Sequence, residues 1–348
     1  MKSEFKIGNK FIGDGYPTFI IAEAGSNHNG NIEQAKRLIE LAAEAGADAV
    51  KFQTFKAKTL YVKDAGESDY LKVKTSIYDI IESMEMPEDW IPALSEHCRK
   101  NKILFISSAF SEDSVDKLDP YINTHKVASY ELNHIPLLKY VASKNKPIIL
   151  STGACTMEEI DYSVNAIDRQ GNDGLCLMQC VAAYPAPPEA SNLKAIVSLK
   201  EKYKIPVGLS DHTRDPFTAP LGAIALGANV IEKHFTISNQ LPGPDQPYAV
   251  EPHELKEMIL RIRELEKALG DGKKKVEPVE KELFYFAKRA VHAIQSIKKG
   301  DVFSEENVAV LRPGKQERGV APKHFENIIG KTAKKDIKPF EGIKETDY

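Results

Sequence analysis

Eight short apolar runs, each closed off by turn residues, recur between residues 18 and 236. They are TFIIAEAG (18–25), AVKFQTF (49–55), ILFISSAF (103–110), HKVASY (125–130), PIILSTG (147–153), LCLMQCVAAY (175–184), PVGLSDHT (206–213) and NVIEKHFT (229–236). They are short and nearly continuous in their apolar character, as strands buried on both faces of a parallel sheet are. Amphipathic stretches separate them. NIEQAKRLIELAAEAG (31–46) carries Ile32, Ala35, Leu38, Ile39 and Ala42 at helical spacing. EPHELKEMILRIRELEKALG (251–270) ends on Gly270, placed for a left-handed C-terminal cap. A strand followed by a helix, repeated eight times, predicts an α/β fold of the (β/α)8 TIM-barrel kind. A doubly wound open sheet is the alternative, and the absence of any evident reversal in strand order favours closure.

At 348 residues the chain exceeds one ordinary domain of ~100–200 residues. The barrel pattern occupies 1–270. DGKKKVEPVEKE is polar and lysine-rich and reads as part of a linker over 271–285. Residues 286–348 show short apolar segments cut by Gly and Pro, a small and mostly β module with a turn, a helix start at Ser304 and then a strand. A net charge of −3 gives no support for a nucleic-acid partner. There is no run of 18 apolar residues, so no membrane span is expected, and the first residues lack the apolar stretch of a signal peptide. Cys98, Cys155, Cys176 and Cys180 lie scattered without metal-site spacing, as buried free thiols of a reducing cytoplasm do.

One connection breaks the rhythm. Residues 56–86, with Tyr61, Tyr70 and Tyr78, leave the end of the second apolar run, on the side where barrel active sites form, and suit a lid or substrate-contacting loop. GSNHNGN (25–31) resembles a phosphate loop only superficially. It has neither a Walker Lys-Ser/Thr nor GxGxxG, and a turn leading to an N-cap at Asn31 accounts for it without a nucleotide.

Polar residues crowd the ends of the runs: Glu23; Lys51 and Gln53; Ser107 and Ser108; Lys126 and Ser129; Ser151; Tyr184; Ser210, Asp211 and His212; Glu232, Lys233 and His234. So many converging on one barrel mouth point to an active site. His212 and His234 end adjacent strands ~4.8 Å apart, near Asp211 and Glu232, and could share one divalent ion with positions left open for substrate. Lys51 and Lys126 sit within apolar strands, where an ammonium needs an anionic partner. That partner is either Glu23 or Glu232, or the phosphate and carboxylate of an acidic substrate, with Ser108, Ser129, Ser151 and Ser210 as neutral donors.

IAEAGSNHNGN, AVKFQTF, HKVASYE, PIILSTG, YPAP, GLSDHT and IEKHFT, in this order, resemble the sialic acid synthase family. FAKRAVHAIQSIKKGD…ENVAVLRPG resembles the antifreeze-like (SAF) module that follows the barrel there. The resemblance implies condensation of phosphoenolpyruvate with an N-acetylated amino sugar such as N-acetylmannosamine, releasing phosphate and forming N-acetylneuraminate or a related nine-carbon acid. Legionaminate or pseudaminate synthases, using a 2,4-diacetamido hexose, are the variants within the family. It further implies that His212 and His234 ligate a divalent ion, Mn2+ or Mg2+. Lys51, Ser108, Lys126, Ser129, Ser151 and Ser210 would cradle phosphoenolpyruvate. Glu23, Gln53, Tyr184 and Asp245 would face the sugar, and Glu232 would handle a proton or the attacking water. Arg312, in LRPG, would reach the sugar's N-acyl group in the other subunit of a domain-swapped homodimer. Ala182, in CVAAYP, departs from the asparagine common in the N-acetylneuraminate enzymes. Two further enzyme readings, a synthase for phosphorylated aldoses and a metal-assisted hydrolase, would need more cationic residues and more protein ligands, respectively. A non-enzymatic ice- or carbohydrate-binding protein leaves the polar strand ends unexplained.

Overall fold

The apolar runs form eight parallel strands that close on themselves. A computed structural model describes residues 1–67 and 74–348, so Tyr70 lies outside the described residues. The chain divides into two compact units, Met1–Gly270 and Asp271–Tyr348. A hairpin of β1 (Glu4–Ile7) and β2 (Lys10–Gly13) precedes the barrel strands β3 (Phe19–Gly25), β4 (Ala49–Thr54), β5 (Leu104–Ala109), β6 (His125–Val127), β7 (Ile148–Ser151), β8 (Leu175–Cys180), β9 (Val207–Asp211) and β10 (Val230–His234). Each neighbours the next in sequence, and β10 closes onto β3, pairing His234 with Glu23. The open-sheet alternative is thereby excluded.

Strand parity divides the side chains into two layers. Ile20, Ala22, Val50, Phe52, Phe105, Leu150, Leu177, Leu209 and Ile231 face outward and pack beneath the helices in the main core. Phe19, Ile21, Ala49, Ile106, Ile149, Cys176, Met178 and Val230 face inward and fill the amino-terminal half of the barrel, where Phe5, Ile7 and Ile12 of the hairpin join them. That packing sets the residue at 208. A Cβ on Gly208 would fall 2.4 Å from the Val230 carbonyl oxygen and 2.5 Å from Met178 Sδ, so only glycine lets the methionine fill the axis. The loop 25–31 leads into the helix Ile32–Ala45, and Asn31 Oδ1 accepts from the backbone N–H of Glu33 and Gln34 as its N-cap.

The second unit holds an antiparallel pair, β11 (Ala290–Ala293) with β12 (Val308–Leu311), around Val291, Phe303, Ile328, Ile337 and Ile343. Its segments cross at very short range. A Cβ on Gly319 would lie 2.0 Å from the Val291 carbonyl oxygen, and one on Gly342 2.3 Å from Gly319 N.

Several local expectations need correction. Ser304 starts a turn rather than a helix, closed by Asn307 Oδ1 on the Ser304 N–H at 2.9 Å. Part of 271–285 is helical, because Pro278 at a first helical position and the Glu277–Glu280 box nucleate Pro278–Glu280 and then Lys281–Phe286. Gly270 has φ 64° and ψ −158°, which is not the left-handed helical cap. Cys98, Cys176 and Cys180 are buried free thiols, whereas Cys155 is half-buried. The hairpin over 4–13 had gone unread, being too short for a periodicity argument. No described helix is long and apolar enough to cross a membrane.

Candidate active site at the carboxyl ends of the strands

The parity that keeps the lower barrel apolar places polar residues inward at its upper end. Glu23, Lys51, Gln53, Ser108, Lys126, Ser129, Ser151, Tyr184, Ser210, His212, Glu232 and His234 line one cavity, together with Phe110, Ala128 and Cys180. Three of the strand-end residues do not belong there. Ser107 bonds Thr54 Oγ1 at 2.8 Å, and Lys233 pairs with Asp211 at 2.6 Å. All three stand one residue out of phase with the inward positions and face the surrounding helices. A larger groove of about 900 Å³ opens at the other end, beside the hairpin and Arg263. Several of its charges pair with one another, Lys10 and Arg263 to Asp48 at 3.0 and 3.3 Å and Arg263 to Glu266 at 2.9 Å. Size does not identify the site.

The buried charges form one network. Lys51 Nζ stands 2.8 Å from Glu23 Oε2, 3.6 Å from Glu232 Oε1 and 3.3 Å from Ser108 Oγ. Lys126 Nζ donates to Ser151 Oγ at 2.7 Å and lies 3.8 Å from Glu232 Oε2. Gln53 Nε2 donates to Glu23 Oε1 at 2.7 Å, and Ser210 Oγ to Glu232 Oε1 at 3.2 Å. Burial pushes Glu23 above the usual carboxylate range, more than Lys51 pulls it down. Burial would raise Glu232 as well, but Lys126 and Lys51 hold it below that range. The two carboxyls of the site are thus pushed in opposite directions by their surroundings. Lys126 is itself pushed down by burial.

Beside this network stand the two histidines, ring centroids 5.1 Å apart. His212 Nδ1 donates to the Val181 carbonyl at 2.7 Å, which leaves the lone pair on Nε2. Burial, with His234 as neighbour, pulls its pKa to about 3, so the ring is neutral. Tyr184 stacks on it at 4.1 Å, and Cys180 Sγ lies 3.8 Å from its Nε2. His234 Nδ1 faces Asp245 Oδ2 at 3.3 Å and the Tyr248 hydroxyl at 3.1 Å. Burial works against the Asp245 charge, yet its bonds to His234 and Tyr248 hold the carboxyl below its usual range. The donor chemistry fits a divalent cation: two imidazoles with outer partners on Nδ1. Among the described residues no group of three or more His, Cys, Asp or Glu is arranged around such an ion, so the remaining ligands would come from substrate or water. Arg312 lies in the second unit, exposed just after β12.

Glu131 went unread in the sequence. It sits in the turn Ser129–Glu131 with Oε2 buried and unbonded, and burial raises its pKa to about 7. The signal was present, an acid two residues beyond Ser129 at the end of an apolar run. Asn27 and His28, likewise buried, were hidden in a loop that looked like a turn.

Residues 38–274 match the NeuB family and residues 288–348 the SAF domain. The chain is 44% identical to the spore coat polysaccharide biosynthesis protein SpsE of Bacillus subtilis, over 97% of this chain and 95% of that protein. It is 41% identical to an N,N'-diacetyllegionaminic acid synthase of Campylobacter jejuni, over 94% and 99%. A solved N-acetylneuraminic acid (sialic acid) synthetase of Leptospira borgpetersenii, in complex with citrate, superposes with a TM-score of 0.74 at 33% identity, covering 82% of this chain and 96% of that one.

Proposed function

The chain belongs to the NeuB family of nonulosonic acid synthases, and on that premise we propose that it condenses phosphoenolpyruvate with an N-acylated amino sugar and water, giving a nine-carbon acid and phosphate. The observation that carries this reading is the pair of buried ammoniums, Lys51 and Lys126, set among Ser108, Ser151 and Ser210 in the cavity that His212 and His234 also line. Such a cradle suits a substrate carrying both a phosphate and a carboxylate.

In this reading Lys51, Lys126, Ser108, Ser129, Ser151 and Ser210 bind phosphoenolpyruvate, and Gln53, Tyr184, Asp245 and Glu23 orient the sugar aldehyde. His212 and His234 would hold a divalent ion, Mn2+ or Mg2+, which when bound supplies Lewis-acid polarisation of a carbonyl. Carbon 3 of the enolpyruvate attacks the aldehyde carbon, and the aldehyde oxygen takes up a proton, which Glu23 is placed to hold. Water then adds to carbon 2 with Glu232 accepting its proton, and the tetrahedral adduct loses phosphate by C–O cleavage. Fixing two substrates at once accounts for the crowded mouth.

N-acetylmannosamine is the first sugar to test. A 2,4-diacetamido hexose is the second, favoured by the 41% identity to the legionaminic acid synthase and by Ala182 in place of asparagine. Phosphate release from phosphoenolpyruvate in the presence of Mn2+ and each sugar, with products weighed by mass spectrometry, decides between them. No metal-dependent release with any of them rejects the synthase reading. The second unit carries 17 Lys and Arg against 13 Asp and Glu, whereas the first has 30 against 37. Arg312 reaching a partner's site in a swapped dimer agrees with that opposition of charge. Co-refolded His212→Ala and Arg312→Ala chains should then regain activity that neither has alone. Heterodimers that stay inactive place Arg312 in its own subunit or outside the reaction.

A further inference from the structure

After β10 the chain carries Asp245 and Tyr248 back onto His234; backbone bonds of Val250 to His234 and Thr236 hold its far end, and an amide that the reaction above does not use ties its middle to a neighbouring loop. Gln246, completely buried, lies between those two residues in sequence. Its Oε1 accepts from the Thr236 hydroxyl, and its Nε2 donates to the Asn27 carbonyl, 3.4 Å away in the loop after β3. The same carbonyl receives Gln34 Nε2 at 2.5 Å, and the Asn27 side chain donates to the Phe235 carbonyl at 2.9 Å. From the other side Asn239 Nδ2 donates to the carbonyls of Gln246 and Ala249, at 2.5 and 2.8 Å. The fit is tight, since a Cβ on Gly243 would lie 3.2 Å from Gln246 Cγ and 3.3 Å from Asn29 Oδ1. An amide bonded at both ends in a dry setting resists displacement, because each lost partner leaves a buried polar atom unsatisfied.

We propose that Gln246 is a positioning residue. By pinning the loop 238–250 to the loop 25–31 it holds Asp245 and Tyr248 against Nδ1 of His234, keeping the ring proton on Nδ1 and the lone pair on Nε2 for a divalent ion. Only the last step rests on the metal reading given above. Outer partners of this kind change metal affinity by about 10–100-fold.

The decisive measurement is the tautomer of His234 in the metal-free full-length protein, read from its ring 15N shifts and assigned by comparison with His234→Gln. The unmodified chain should show Nδ1–H. Gln246→Met, of similar length but without hydrogen bonds, should show a mixture of tautomers. It should also bind Mn2+ about 10-fold more weakly, as followed by the free-ion electron paramagnetic resonance signal. Thr236→Val removes one of the two bonds with little change of shape and should shift both readouts in the same direction, by less; it replaces Gln246→Met if that chain does not fold. An unchanged tautomer in the variants overturns the positioning role, whether or not the chain binds metal. A changed tautomer with unchanged Mn2+ affinity overturns the link to the ion. If the unmodified chain binds no Mn2+ while the tautomer still follows Gln246, the positioning role stands and the metal reading is lost.

Discussion

The two ends of the barrel interior are built from the same strands and the same parity, yet they are opposite kinds of surface. Along β3 the inward series runs Phe19, Ile21, Glu23; along β4 it runs Ala49, Lys51, Gln53; along β10 it runs Val230, Glu232, His234. Two residues of rise, ~6.6 Å, separate a dry apolar plug from a cluster of buried charge. The lower half buries apolar area and costs nothing in desolvation. The upper half carries groups whose burial is unfavourable and whose pairing only partly offsets it. The difference teaches that the fold is held from below and that the mouth is tolerated for what it does.

That contrast can be broken by substitution at matched depth. His234→Ala or His212→Ala should lower phosphate release by about 10³-fold or more while leaving the thermal midpoint nearly unchanged. Phe19→Ala should cost about 3–5 kcal/mol by urea unfolding, with turnover per folded molecule preserved. Histidine variants that unfold, or a Phe19 variant that loses turnover before stability, would show the two halves to be one cooperative unit.

The sequence carried this division unevenly. The eight strands were legible because parallel strands must be apolar on both faces, and a lysine or glutamate inside such a run stands out. Lys51, Lys126, Glu23 and Glu232 were found on that ground. Ser107, Asp211 and Lys233 were misplaced because strand-end position was read without parity, and a one-residue step turns a side chain from the mouth to the helix layer. Glu131 and Gln246 escaped for another reason. They lie in turns, where no period announces burial, and only the folded chain shows Oε2 of the one unbonded and the amide of the other bonded at both ends.

Two buried groups in the loops that follow the strands give the comparison a pH axis. His28 Nδ1 accepts from the Gly30 N–H, its Nε2 is buried without a partner, and burial lowers its pKa to about 4. Between pH 4 and 6.5 the unfolded chain takes a proton that the folded ring refuses. Stability from this site is therefore full above 6.5 and is lost as the pH falls toward 4, by up to about 3 kcal/mol. Glu131 runs the other way. With its pKa raised to about 7, the folded chain keeps a proton that the unfolded chain releases above 4.5, so stability is full below 4.5 and declines as the pH rises through 7. The two slopes oppose each other between pH 4.5 and 6.5, so urea midpoints from pH 4 to 8 should fall more steeply with rising pH in His28→Leu, where only the Glu131 slope is left, and gain stability above pH 7 in Glu131→Gln. Curves parallel to that of the unmodified chain would remove both assignments.

The smallest effect is also the sharpest test of the contrast. Lys51→Met alone leaves Glu23 and Glu232 facing each other without their shared ammonium, and breaking a buried ionic cluster in this way costs about 3–5 kcal/mol. Lys51→Met combined with Glu23→Gln removes one charge of each sign. It keeps an amide oxygen to accept from Gln53 Nε2 and leaves Lys126 to face Glu232. Exchanging a buried ion pair for neutral groups of similar volume is often neutral or mildly stabilising. The double variant should therefore match the unmodified chain to within about 1 kcal/mol, or exceed it, while releasing no phosphate. A double variant as unstable as Lys51→Met would mean that the charges of the mouth hold the barrel together, and the division between its two ends would be one of composition alone.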